Sequence, residues 1–187
     1  MTISRVALLA ITLVAACANA EKTGRYMIDP PAAEKRLPNK LGLTELREIS
    51  LPQYASGQEI AYQTKDGALR SRPDQIWADD PARAVTLVLA GQISAVSGAT
   101  VVAEPWPLAE EPQRRLEVRV EQMLARADGV LRLSGQYFVS PVADGAGRDV
   151  VRRFDLVVPI EGEGPGAIAA AQSRAINLLA EQIARLG

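Results

Sequence analysis

The amino-acid sequence predicts an α+β fold, in which a mostly antiparallel sheet carries two amphipathic helices packed on one face. Two observations lead to this prediction. Apolar and polar residues alternate along three consecutive segments near residues 116–121, 131–139 and 153–160, as in an antiparallel meander with one exposed face. Two other segments, at 81–96 and 165–186, repeat apolar residues with the 3.6-residue period of a helix.

The N-terminus has the pattern of an export signal. Arg5 precedes an apolar run from Val6 to Ala16, which is shorter than the roughly 20 residues that a bilayer core requires. The small residues Ala15 and Ala16 stand directly before Cys17, and this arrangement resembles a bacterial lipobox. On this interpretation, Cys17 is lipidated and becomes the mature N-terminus.

Two alternatives to lipidation stay open. Residues Ala18-Asn19-Ala20 have the form of an ordinary signal peptidase site, and cleavage after Ala20 would release a protein without cysteine. Cys17 could also be a plain apolar residue of the signal segment. The lipobox interpretation divides the chain into a lipoprotein signal peptide at 1–16, a lipidated tether at 17–24 and a single periplasmic domain at 25–187.

The first strands of the domain are short and bounded by proline. Residues Arg25–Ile28 read as a strand that Asp29-Pro30-Pro31 ends, because proline cannot continue a ladder. A polar connection over Ala32–Thr44 follows, and Glu45–Tyr54 reads as a second strand. An Asp66-Gly67 pair between two strand-like runs then predicts a hairpin over 59–72.

The first helix is marked at both ends. Asp79 or Asp80 can cap it, Pro81 suits its first position, and Gly98 lies just past its end. Its apolar face is predicted to include Trp77, Pro81, Ala84, Val85, Val88, Gln92 and Val96.

The second half of the chain is a strand, the meander and the second helix. Residues Thr100–Ala103 predict the strand, and turns at 127–129 and 144–147 separate the three meander strands. Pro165 suits the first turn of the second helix. That helix has an apolar stripe, with Arg174, Asn177 and Glu181 opposite; the stripe comprises Ile168, Ala171, Ala175, Leu179, Ile183 and Leu186.

Composition excludes several classes of function. The 21 basic and 22 acidic residues nearly balance, and loss of Arg5 leaves 20 against 22, so the charge favours no nucleic-acid partner. The chain has no histidine and no cysteine besides Cys17. A mature domain of this composition cannot build a usual zinc site, a cysteine nucleophile or a histidine-based triad. We therefore predict no catalytic residue, no metal and no cofactor beyond the lipid on Cys17.

Four clusters could suggest chemistry, and each has a plainer interpretation. Asp79-Asp80 resembles a metal-binding pair but stands where a helix cap is expected. The glycine-rich segment 162–166 lacks the lysine of a phosphate loop and suits a tight helix entry. Glu110-Glu111 lies in a proline-flanked, solvated loop. Arg152 and Arg153 are neighbours in a strand, so they point to opposite faces.

Several segments together resemble one family, the ABC-type transport auxiliary lipoproteins (PqiC-like). The likeness lies in the lipobox ending at Cys17 and in residues 25–29, 51–54, 59–62 and 77–79, and it continues in the strand at 116–120 and the helix at 176–186. The proline-rich loop at 104–112 has no counterpart in this resemblance.

The resemblance implies a non-catalytic periplasmic subunit of a lipid transport system. Its partners would be an ABC permease, the ATPase and an MCE-domain protein, and it would dock the transporter at the outer membrane while its lipid anchors it there. Self-association is left open. An envelope-assembly or structural scaffold lipoprotein is an alternative, and a small periplasmic hydrolase using serine or carboxylates is another.

The sequence also suggests where a partner would bind. Sheet edges present unpaired amides and carbonyls that can accept another strand. The early strand at Tyr26–Ile28 and the hairpin at Ile60–Arg70 lie near the tether, and we expect them to be such edges.

Overall fold

A computed structural model describes residues 22–33, 36–142 and 147–186. The signal peptide, Cys17 and the predicted turn residues Asp144–Ala146 lie outside the described residues. The elements are strands β1 Gly24–Tyr26, β2 Leu43–Leu46, β3 Tyr62–Gln63, β4 Leu69–Arg70, β5 Gln75–Trp77, β6 Thr100–Ala103, β7 Arg114–Ala125, β8 Val130–Pro141 and β9 Val150–Pro159, and helices α1 Gln53–Ser56, α2 Pro81–Ser97 and α3 Gly164–Ala184.

The long strand β7 organises the main sheet. One of its edges pairs along its whole length with β8, and β8 pairs in turn with β9; both ladders are antiparallel. Its other edge is shared, because β2 pairs in parallel with residues Arg114–Leu116 and β3 pairs in parallel with Ala125. Strand β6 flanks β2, and β4 flanks β3. The α+β prediction is confirmed, with a mixed rather than purely antiparallel sheet.

A bulge in β7 lets this one strand serve two neighbours. The register with β8 shifts between Val120 and Gln122, opposite Gly135 of β8. A bulge bends its strand and increases the local twist. The first half of β7 therefore lies beside β2 and the second half beside β3.

The core lies between the inner face of the sheet and the helices. The inward residues of β8 are Leu131, Leu133, Gly135, Tyr137 and Val139, as the alternation predicts, and all are buried. Helix α3 packs on β8 and β9, while α2 packs on α3 and β6. In the part of the chain that is described, no helix combines the length and the apolar character needed to cross a bilayer.

The signals at the ends of α2 have the predicted effect. The Asp80 carboxylate accepts a hydrogen bond from the Arg83 amide at 2.9 Å, and Pro81 occupies the first turn. Gly98 adopts φ +68° and donates its amide to the Ser94 carbonyl at 2.8 Å. This left-handed conformation favours glycine, and it ends the helix.

Several boundaries differ from the sequence predictions, and the first strand already ends at Tyr26 instead of Ile28. The second strand ends at Leu46 instead of continuing to Tyr54, because the Ile49 amide turns to the Thr86 hydroxyl (2.9 Å) and Pro52 has no amide to donate. Residues Gln53–Ser56 form the short helix α1 instead. Trp77 lies at the end of β5, before the helix, although its predicted burial in the core is confirmed.

Side chains occupy part of the outer edge of β9. The Val151 carbonyl accepts a hydrogen bond from Arg152 Nη1 (3.0 Å), the Arg153 carbonyl from Gln182 Nε2 (3.3 Å), and the Pro159 carbonyl from Arg174 Nη2 (2.8 Å). These three carbonyls lie an even number of residues apart, so they point to the same side of the strand. Side chains of the chain itself therefore occupy groups that another strand would need.

Candidate interaction surface

A cleft of about 780 Å³ lies beside β1. We call it the β1 cleft. Four segments form its walls, namely β1, α1 with the residues after it, the β3–β4 hairpin and β5; its lining includes Thr23, Arg25, Tyr54, Glu59, Leu69, Arg70 and Ile76. Of the two early segments that the sequence predicted as edges, the hairpin lines this cleft through Leu69 and Arg70, whereas residues 26–28 do not line it.

Short backbone ladders hold the walls of the β1 cleft in place. Strands β1 and β5 form a two-stranded parallel sheet in which Arg25 is opposite Ile76. The segment after α1 joins this sheet, because Trp77 donates its amide to the Gln58 carbonyl (2.8 Å) and Ile60 donates to the Gln75 carbonyl (3.1 Å). The cleft is therefore built from backbone pairing between elements distant in sequence.

The hairpin contributes an edge and an exposed apolar side chain. Strand β4 is the terminal strand of the main sheet at this end, and among the described residues it pairs only with β3. Leu69 of β4 is 45% exposed. The β1 cleft therefore offers a partner both unpaired backbone and a hydrophobic contact.

The charges around the β1 cleft have both signs. The Ser71 hydroxyl donates to the Glu59 carboxylate, while Arg70 lies 3.9 Å from Asp66 in an exposed ion pair. Thr64 donates a hydrogen bond to the Asp66 carboxylate and holds its pKa below the ordinary value. Arg25 is exposed and forms no ion pair with a residue that the structure describes. The arrangement is suited to recognising a polar protein surface.

The clusters that suggested chemistry have structural roles. Asp80 caps α2, and Asp79 forms an ion pair with Arg83, so the predicted capping role of this pair is confirmed. Arg153 pairs with Glu121 on the outer face of the sheet, whereas Arg152 is the register partner of the buried Tyr137. The two arginines do not share a pocket.

Two loops complete this account. The carboxylates of Glu110 and Glu111 are solvated as predicted, and the Glu110 carbonyl accepts a hydrogen bond from Trp106 Nε1 at 2.8 Å. The glycine-rich segment forms the entry of α3, where Gly162 and Gly164 have φ of +102° and +80°. Over residues 22–33, 36–142 and 147–186, no three acidic or cysteine side chains converge as a metal site would require.

The sequence does not reveal a second concave feature, an apolar groove of about 170 Å³ between the end of β1 and the first turns of α2. Met27 and Leu87 stand at this groove with 69% and 46% of their surface exposed. Tyr26 and Trp77, opposite each other in the two-stranded sheet, line it from below. The one available signal is that Met27 is apolar at a position where the alternation with Arg25 predicts an exposed side chain.

Comparison with known proteins adds a family and a fold. The family model described as the ABC-type transport auxiliary lipoprotein component matches residues 26–184. No curated protein sequence matches the chain. A crystal structure of an uncharacterised protein is 21% identical, with a TM-score of 0.67, and the match covers 82% of this chain and 97% of that one.

A second structure, a DUF330 family protein from Xanthomonas campestris, is 15% identical with a TM-score of 0.65, over 87% of this chain and 93% of that one. A PelC dodecamer from Paraburkholderia phytofirmans gives a TM-score of 0.44 at 14% identity, over 81% of this chain and 89% of that one. At these identities, the first two structures establish a shared fold.

Proposed function

Because this chain belongs to the ABC-type transport auxiliary lipoprotein family, we propose that it is a non-catalytic periplasmic subunit of a lipid transport system. Its partners in this proposal are an ABC permease, the ATPase and an MCE-domain protein, and it docks the transporter at the outer membrane. The observation that carries the proposal is the family match, which spans residues 26–184 and so includes all three helices and all the strands after β1.

The anchor in this proposal is a lipid on Cys17. Three acyl chains would bury many methylene groups at about 0.8 kcal/mol each, and two chains already suffice for stable anchoring. We expect Cys17→Ser to leave the protein unprocessed or free of the membrane, as measured by fractionation and intact mass. A mature N-terminus at Glu21 without lipid would contradict the proposed anchor.

The outer membrane is the proposed destination, because the residue after Cys17 is Ala18. An aspartate at this position would resemble the inner-membrane retention signal of enteric bacteria. Density-gradient fractionation of the envelope tests this. Recovery of the protein with inner-membrane markers would overturn the outer-membrane part of the proposal and leave the anchor intact.

The β1 cleft is the proposed site of contact with the transporter. A strand of the partner can extend the sheet at β4, because among the described residues β4 pairs only with β3. The same strand can bury Leu69. Arg25, which forms no ion pair with a described residue, and the Arg70–Asp66 pair would set the orientation of that strand.

Co-purification tests the subunit role and the cleft together. The detergent-solubilised lipoprotein, produced with the permease, the ATPase and the MCE protein, is expected to retain these subunits, and Leu69→Glu is expected to lose them. Leu108→Glu is the matched control, because Leu108 is 44% exposed but lies in the loop between β6 and β7. If the lipoprotein runs alone beside all three subunits, and lipid moves normally without it, the subunit role is wrong. If the Leu69→Glu and Leu108→Glu variants retain the partner subunits equally well, the β1 cleft is not the contact site.

A further inference from the structure

The two-stranded sheet of β1 and β5 separates two surfaces of different chemistry. Arg25 and Ile76 are opposite each other and line the polar β1 cleft, whereas Tyr26 and Trp77, the next pair, line the apolar groove. The groove ends in Met27, which is more exposed than any other large hydrophobic side chain in the described residues. Such an exposed apolar patch marks a binding surface when it is contiguous.

The groove carries almost no uncompensated charge. Asp79 is the one ionisable acid or base among its lining residues, apart from the Tyr26 phenol, and it forms an ion pair with Arg83. The neighbouring Asp80 carboxylate accepts a hydrogen bond from the Arg83 amide at the start of α2. The Asp79 and Arg83 side chains are exposed beside the groove, so they can stay hydrated while the apolar side chains of the groove enter an apolar phase.

The tether length determines which part of the domain lies nearest to the anchor. Cys17 precedes the first residue of β1, Gly24, by seven residues, which span about 24 Å when fully extended and about 15 Å as a flexible coil. A domain of this size has a radius of gyration of about 15 Å and is therefore about 40 Å across. Since the tether is shorter than the domain, the side that carries β1 faces the bilayer.

We propose that the apolar groove is a second membrane contact, in which Met27 and Leu87 enter the interface of the phospholipid bilayer beside the anchor. This inference rests on the lipidation of Cys17 proposed above. The bilayer covers the apolar side of β1, and the polar side stays open for the transporter. The lipid then fixes the orientation of the domain as well as its location.

Site-directed spin labels test this contact. Whether Cys17 is lipidated or removed, the mature chain has no other cysteine, so a single introduced cysteine carries the label. Full-length lipidated protein with Met27→Cys, Leu87→Cys or the control Leu108→Cys is placed in phosphatidylethanolamine–phosphatidylglycerol vesicles. We expect the ratio of accessibility to oxygen over a water-soluble nickel chelate to be several-fold higher at 27 and 87 than at 108.

Other outcomes identify what has failed. Ratios at 27 and 87 equal to that at 108, in protein whose intact mass includes the lipid, overturn the groove contact and leave the proposed anchor standing. Labels shielded from both reagents show that a second copy or another protein covers the groove, which also overturns it. An intact mass without lipid overturns the anchor itself, and the inference with it.

Discussion

Gly135 is the position at which a single methyl group should damage the fold most. It lies on β8 opposite the bulge in β7, and a Cβ added there would lie 2.9 Å from Phe154 Cζ and 3.0 Å from Val120 Cα, and closer still to the Arg119 carbonyl oxygen. The nearest atom, the Arg119 carbonyl oxygen, belongs to the backbone of β7, which cannot turn aside as a flexible side chain can. The strands must separate, or the bulge must move.

We expect Gly135→Ala to destabilise the protein by about 3 kcal/mol, the upper part of the usual range for overpacking. For a domain of this size each kcal/mol lowers the melting temperature by about 2–4 °C, so the expected fall is about 6–12 °C. Thermal unfolding followed by circular dichroism measures it. A urea titration at 25 °C provides an independent value of the free energy of unfolding.

The control for this experiment is Gly91→Ala in α2. An added Cβ at Gly91 meets no atom within 4 Å, and the residue is exposed in the middle of the helix. Alanine there should stabilise the protein by up to about 1 kcal/mol through helix propensity. If Gly135→Ala melts as the wild type does while Gly91→Ala is stabilised, β7 and β8 are not packed as described.

Two further predictions concern the helix cap and the response to acid. Asp80→Ala removes the cap of α2 and should cost about 1 kcal/mol, or about 3 °C, whereas Asp80→Asn should largely retain the cap; equal melting of all three proteins would contradict this. Hydrogen bonding from Arg132 holds the pKa of Asp155 below its ordinary value, with the charge of Arg132 contributing. Because the pKa of Asp155 is lower in the folded state than in the unfolded chain, where it is about 4, the ionised carboxylate stabilises the fold at pH values above about 4. This stabilisation is lost as the pH falls through the folded-state pKa. Thermal melts from pH 5 to pH 2 should therefore fall less steeply for Asp155→Asn than for the wild type, and parallel curves would show that the pair does not contribute.

The parts of the fold that the sequence predicts are those with local signals. The ends of α2 follow from Asp80, Pro81 and Gly98, because caps act within one turn. The three meander strands follow from alternation, since each strand has one buried face. The family resemblance, which depends on segments spread along the chain, is confirmed by the match over residues 26–184.

The parts that escape prediction are set by contacts between distant residues. Strand β2 pairs in parallel with both β6 and β7, and four residues carry too little periodicity to specify two partners. The sequence pattern places Trp77 at the start of the helical face. In the structure, its amide donates a hydrogen bond to the Gln58 carbonyl, and Trp77 pairs with Tyr26 of β1. The β1 cleft arises from these same pairings. Its edges could be proposed from sequence, but their meeting around one cleft could not.

The partly occupied edge of β9 has a consequence for the way copies of this protein can associate. A strand edge with free carbonyls and amides can recruit an identical edge repeatedly, which leads to open-ended stacking into fibres. Arg152, Gln182 and Arg174 occupy three of the carbonyls that such stacking would use. Another strand that added along this edge would first have to break these hydrogen bonds, which disfavours open-ended stacking.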